Sequence, residues 1–170
     1  MKNSVTIGVV ALALAACGSA QVKPSSTVSS SVTAPATTNL SMSKAQAGRA
    51  YLAIVAPVNA AIATFDHQVS ALSSSASVSA LTPIVTRLAA ALQTSNVKLN
   101  TLATAYPPAA SALHALTGAS SSLVGILQSV SGQTVLSISG WVTHVAQTES
   151  EVSNDGNIVR STLGFPPAQS

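Results

Sequence analysis

Apolar residues recur every three or four positions from Met42 onward, which is the spacing of one buried face of an α-helix. The first such stretch has inward positions at Ala47, Tyr51, Ile54, Val58, Ile62, Phe65, Val69 and Leu72. Pro57 lies within this stretch and has no N–H to bond to the carbonyl of Ala53. Because the periodicity keeps its phase across Pro57, the pattern predicts one helix with a kink.

The second helix is predicted to begin at Thr82-Pro83, after a serine-rich connector over residues 73–79. Threonine is a good N-cap, and proline is favoured at the first helical position. The inward positions of this helix are Leu81, Val85, Leu88, Leu92, Ser95, Leu99, Leu102 and Tyr106. They alternate by four and three residues throughout, with Ser95 as the one polar member.

Pro107-Pro108 is predicted to end the second helix and to start the third. The third helix has inward positions at Ala109, Leu113, Leu116, Ser120, Leu123, Leu127 and Val130. Gly132 then suits a helix end in the left-handed conformation.

The fourth stretch has inward positions at Val135, Ile138, Val142, Val145, Thr148 or Glu149, Val152, Gly156, Val159 and Leu163. Residues 154–156, Asn-Asp-Gly, are a turn signal in isolation, but the periodicity continues through them, so one helix is predicted. Gly164 and Pro166-Pro167 supply its stop. The sequence therefore predicts an all-α fold, an antiparallel up-and-down four-helix bundle over residues 42–166, because short loops join long helices.

The first residues of the chain carry an export signal. A single cation, Lys2, precedes an apolar run from Val5 to Ala16 of about 12 residues. A membrane span needs roughly 20 residues, so this run has the length of a signal-peptide core. Leu14-Ala15-Ala16-Cys17 closes the run, and Cys17 is the sole cysteine of the chain.

These four residues resemble the lipobox of bacterial lipoproteins. The resemblance implies a signal peptide over residues 1–16, cleavage after Ala16, and attachment of diacylglycerol and acyl chains such as palmitate to Cys17. It therefore implies a protein anchored to membrane lipid on the extracytoplasmic face of the cell membrane. An ordinary cleaved signal, with Cys17 left as a thiol, is the alternative.

Residues 17–41 contain Pro24, Pro35 and many serines and threonines without apolar periodicity. This composition predicts a disordered linker behind the lipidated Cys17, with a reach of roughly 25–30 Å. Its Ser/Thr runs beside proline are either O-glycosylation sites or a bare spacer.

Charged residues make up only 6% of the chain, and no two Lys or Arg are adjacent. Nucleic-acid binding needs clustered cations and is excluded on this ground. His67, His114 and His144 fall off the inward faces, and no Glu-x-x-His pair exists, so no metal site is expected. With no Gly-x-Ser-x-Gly elbow or haem motif, we also expect no catalytic residues, no cofactor and no enzymatic activity.

Two further segments, Tyr51–Phe65 and Arg160–Pro167, are similar to uncharacterised actinobacterial, including mycobacterial, secreted or lipidated helical proteins. That resemblance implies a helical fold and a location outside the cytoplasm, but it implies no activity. The sequence is therefore interpreted as a lipid-anchored protein that binds an unidentified protein or envelope partner. The alternative is a carrier of a small apolar ligand held between the helices, for which a continuous cavity would speak.

Overall fold

The computed structural model describes residues 42–71, 77–134 and 137–168, and these ranges are helical without any strand. Four α-helices follow one another: α1 (Lys44–Ser70), α2 (Val78–Ala105), α3 (Ala110–Gln128) and α4 (Ile138–Leu163). Short 3-10 turns, Pro107–Ala109 and Ser129–Gly132, flank α3. The all-α class and the four helices predicted from the periodicity are confirmed. The predicted segments 1–16 and 17–41 lie outside the described residues, as does Cys17.

The start of α1 is fixed by a capping box that the periodicity did not reveal. The Ser43 hydroxyl accepts from the Gln46 amide at 3.3 Å, and the Gln46 side chain accepts from the Ser43 amide at 2.8 Å. The two residues thus satisfy each other's free backbone donors. The helix then continues through Pro57 without interruption, as predicted, and the proline ring is exposed.

The predicted start of the second helix is wrong. α2 begins at Val78, with Ser77 as its N-cap residue, so Pro83 lies inside the helix. The Thr82 carbonyl accepts a bond from the Thr86 hydroxyl at 2.8 Å. The fixed φ of proline is compatible with a helix, and the lack of a backbone N–H removes one hydrogen bond of the second turn. The helix can therefore begin before Pro83.

The two glycines predicted to end helices behave differently. Gly164 has φ +85° and closes α4 in the left-handed conformation, as predicted. Gly132 does not: it ends a 3-10 turn and has no positive φ, since Gly164 is the sole described residue with one. α3 also finishes in 3-10 geometry, which satisfies carbonyls of the last turn without a left-handed residue.

The core lies among helices that contact one another in chain order, α1 with α2, α2 with α3 and α3 with α4, while α1 also contacts α4. All seven inward positions predicted for the third helix are buried. In α1 the buried stripe is turned slightly, so that Val55 is buried while Ile54 is half-buried. Leu72 and Val135 lie outside the described residues.

The largest difference between the predicted and the observed buried positions occurs early in α4. Val142 was predicted to point inward, but the structure buries Trp141 and leaves Val142 half-buried. The Trp141 indole N–H donates to the Ile126 carbonyl at 2.7 Å, so the polar atom of this large ring is satisfied within the core. Beyond this point Val145, Val152, Gly156, Val159 and Leu163 are buried as predicted. α4 is unbroken through Gly156.

Candidate functional site

Two grooves lie on the seam between α1 and α2. The first, the Lys98 groove, has a volume of about 260 Å³ and is lined by Ile54, Pro57, Ala90, Ala91, Thr94, Ser95 and Lys98. The second, the Arg87 groove, has a volume of about 280 Å³ and is lined by Ala60, Ala61, Thr64, Phe65, Gln68, Ile84 and Arg87. Small side chains at the seam leave this space, because alanine and threonine cannot fill it as leucine does between α2 and α3.

Each groove has one cation among its lining residues. Arg87 and Lys98 are both exposed and are eleven residues apart on α2. Eleven residues are three helical turns with only about 20° of rotation, so the two cations lie on one face about 16 Å apart. Asp and Glu are absent from the described linings of both grooves. The seam is therefore apolar at its floor and positively charged at its edge.

Apart from these grooves, a cluster of polar side chains joins α1, α4 and the chain after α4. The buried Tyr51 hydroxyl donates to the Gly156 carbonyl at 3.5 Å. Burial raises the pKa of Tyr51 to about 12, although the charge of Arg160 lowers it in part. Tyr51 is therefore a neutral phenol at physiological pH.

Arg160 is buried and holds the segment that follows α4. Its Nε donates to the Pro166 carbonyl at 2.8 Å, and its guanidinium lies 5.8 Å from the centre of the Phe165 ring. That distance is within the range of a cation–π contact. The Ala168 amide also donates to the Asn157 side chain at 2.8 Å. The helical periodicity assigns Arg160 no role, and its only signal in that pattern is a place beside the inward Val159.

Glu149 is buried on α4, at one of the two inward positions that the periodicity had allowed, and Thr148 is buried beside it. Burial and, to a smaller extent, the negative charge of Asp66 on α1 together raise the pKa of Glu149 to about 7. Asp66 is half-buried, and burial raises its pKa as well. Two carboxyl groups from α1 and α4 thus repel each other when both are ionised.

Polar contacts also link α2 and α3. The Asn96 amide donates to the Ser121 hydroxyl at 3.2 Å, and the Thr117 hydroxyl lies 3.4 Å from the Asn100 side-chain oxygen. The Asn96 Oδ1 is buried without a hydrogen-bond partner among the described residues. Ser95 and Ser120, the predicted inward serines, are buried as expected.

The three histidines are exposed, as their positions off the inward faces predicted. In the described ranges, no three His, Cys, Asp or Glu residues lie close enough together to hold a metal ion. Three buried polar side chains, those of Tyr51, Trp141 and Arg160, each donate a hydrogen bond to a backbone carbonyl.

Two segments are long and apolar enough to cross a membrane, Lys44–Val69 and Pro107–Gly132, each with a mean hydropathy of 1.3 over its most apolar window. Core helices of soluble proteins pass the same test, so length and composition give only a weak indication of membrane association. Of the two windows, 28% is buried in the first and 39% in the second. Much of the apolar surface of α1 is therefore left outside the core.

No protein-family model matches the chain. Comparison with curated proteins and with solved structures gives no significant match either.

Proposed function

We propose that this chain is a lipid-anchored, non-enzymatic protein of the extracytoplasmic face of a bacterial cell membrane, with a helical domain that binds a protein or envelope partner. The observation that carries the anchor is the sequence Leu14-Ala15-Ala16-Cys17 at the end of a short apolar run. The Ser/Thr/Pro-rich residues that follow would let the domain stand clear of the lipid.

The binding role is supported by how the buried polar groups are used. Tyr51, Trp141 and Arg160 each donate to a backbone carbonyl of another part of the fold, so they hold elements together. The described grooves, in contrast, are open at the surface between α1 and α2. Such a surface suits contact with a partner more than it suits chemistry on an enclosed substrate.

We also propose that the four helices run up and down in alternation. Asn96 meets Ser121 and Asn100 lies near Thr117, so the partner in α3 moves back as the chain advances along α2. Likewise, Tyr51 near the start of α1 reaches Gly156 near the end of α4. Both pairings support antiparallel neighbours.

A carrier of a small apolar ligand is the second candidate, and the two grooves are the observation that favours it. Each has a volume below the 300–1,000 Å³ of typical ligand pockets, and each is open to solvent. Native mass spectrometry of the protein purified from its host membrane tests this alternative. A retained small apolar molecule supports a carrier, whereas a retained protein supports the binding role.

The anchor is tested with Cys17→Ala, and with Ser19→Ala as the matched control two residues along the chain. We expect Cys17→Ala to remain an unprocessed precursor or to be released, and to take up no labelled fatty acid. Ser19→Ala should be processed, labelled and membrane-bound like the wild type. A normally processed Cys17→Ala protein in the membrane fraction would contradict the lipoprotein proposal.

A further inference from the structure

The outer face of α1 is apolar and contains no acid. Between Arg49 and Asp66 the helix has no charged residue, and its exposed positions there are alanines, one threonine and Pro57. Pro57 and Ala60 are exposed and also line the grooves, so this surface is continuous with the α1–α2 seam. On α2 the surface continues over Ala90 and Thr94, which are exposed and line the Lys98 groove.

The charges are divided between the helices. α2 has only Arg87 and Lys98, while Glu149, Glu151 and Asp155 are all on α4. The single acid of α1, Asp66, interacts electrostatically with Glu149 on α4 and is not among the residues that line the two grooves. α3 has no Asp, Glu, Lys or Arg. Positive charge therefore coincides with exposed apolar surface at the α1–α2 seam.

We infer that this α1–α2 face docks on an anionic lipid bilayer, with Arg87 and Lys98 at the phosphate level and the alanine surface of α1 toward the acyl boundary. The inference rests on the proposed lipid anchor, which would keep the face near the membrane. The face is defined by Arg49, Ala53, Pro57, Ala60, Arg87, Ala90 and Lys98. An apolar surface edged by cations is the chemistry by which helices lie at a membrane interface.

The cations favour an anionic bilayer over a neutral one. Each Lys or Arg near an anionic surface favours the docked state by about fivefold. The effect weakens as salt rises, because the screening length falls from about 10 Å at 0.1 M to about 3 Å at 1 M. On a neutral bilayer the alanine surface alone would bind weakly, because each methyl group buries only a small apolar area and so contributes little free energy. The lipid tether makes docking intramolecular, so a low intrinsic affinity of the face for the bilayer is sufficient to keep it docked.

The experiment uses the full chain reconstituted in vesicles of phosphatidylcholine, with or without phosphatidylglycerol, that contain a headgroup-level quencher lipid. A fluorophore is attached at Ala60→Cys on the docking face or at Ala115→Cys, the matched exposed alanine on α3. The wild-type chain, whose sole cysteine is Cys17, controls for labelling elsewhere. Flotation of the vesicles reports the anchor, and quenching reports the face.

We expect flotation with both vesicle types and strong quenching only for the Ala60 label on anionic vesicles. Arg87→Gln with Lys98→Gln should lower the ratio of docked to free protein by about 25-fold, and salt should do the same. Glu151→Gln, an exposed change on α4, should not lower it.

Each other outcome decides between the two proposals. Flotation with equal quenching of both labels overturns the docking face and leaves the anchor intact. Flotation on anionic vesicles alone, with the Ala60 label quenched, supports the face and contradicts the anchor. No flotation contradicts both. A label at Ala60 that is unquenched on vesicles but protected in intact cells overturns the membrane proposal in favour of a protein partner.

Discussion

The Phe165 ring, from the segment after α4, lies directly against Gly48 on α1. A Cβ placed on Gly48 would be 2.8 Å from the ring Cζ, closer than real Cβ atoms approach. Gly48 is buried, and the contact joins the chain after α4 to the beginning of the first helix. The absence of a side chain at Gly48 is therefore what allows the ring to pack there.

Gly48→Ala should accordingly fail to give the usual gain of alanine over glycine within a helix, about 1 kcal/mol. Gly118→Ala is the control, because a Cβ there meets nothing within 4 Å, and it should stabilise the protein by about that amount. Overpacking at Gly48 costs about 1–3 kcal/mol, so thermal melts should place Gly48→Ala below Gly118→Ala. In a Phe165→Ala background the two substitutions should become equivalent. Equal melting shifts in the wild-type background would show that the ring moves aside freely.

Leu88→Asp or Leu92→Asp should unfold the domain. Both leucines are buried in α2, and an unpaired buried carboxylate costs several kcal/mol against a typical domain stability of about 5–15 kcal/mol. Lys98→Ala, an exposed change on the same helix, should stay within about 0.5 kcal/mol of the wild type. Circular dichroism melts test the three variants. Aspartate variants that melt like the wild type would mean that α2 is not packed in the core.

Trp141→Phe should destabilise the protein by about 1–3 kcal/mol. It removes the 2.7 Å bond from the indole to the Ile126 carbonyl and part of the buried ring. The carbonyl itself retains the Ser129 hydroxyl at 2.7 Å, which limits the loss. Thr143→Ala, an exposed change two residues along α4, is the control for chemical denaturation. A Trp141→Phe midpoint equal to that of the control would exclude a structural role for the indole bond.

Stability should fall as pH rises through the range between 4.5 and about 7, the unperturbed and folded pKa values of Glu149. The raised pKa means that the folded protein holds a proton which the unfolded chain releases, so the contribution is complete below 4.5 and lost above 7. The total is of the order of 3 kcal/mol. Asp66, whose pKa is also raised, acts in the same direction.

Glu149→Gln should therefore flatten this pH dependence and raise stability above pH 7. Glu151→Gln, an exposed change on the same helix, should leave it unchanged. Urea melts across the pH range measure both. A steep fall that persists in Glu149→Gln would assign the titration to another group.

The periodicity of the chain determined the number of helices and most of their buried faces. All of the third inward stripe, from Ala109 to Val130, could be predicted because helical spacing is a local property of the sequence. Gly164 as a helix stop was also readable, because glycine followed within a few residues by proline is a common signal at helix C-termini. The resemblance of residues 14–17 to a lipobox is a sequence signal as well, and lipid attachment at Cys17 remains a prediction.

Only the tertiary structure decided which polar groups meet. Asp66 and Glu149 are 83 positions apart, and their electrostatic interaction depends on how far α1 and α4 are shifted and rotated relative to each other. The same is true of Trp141 replacing Val142 in the core and of Arg160 reaching Pro166. Neighbouring residues on a helix differ by 100° of rotation, so a small turn of the whole helix exchanges one inward side chain for the next. The α1–α2 grooves arise for the same reason, because their volume depends on which small residues face each other across the seam.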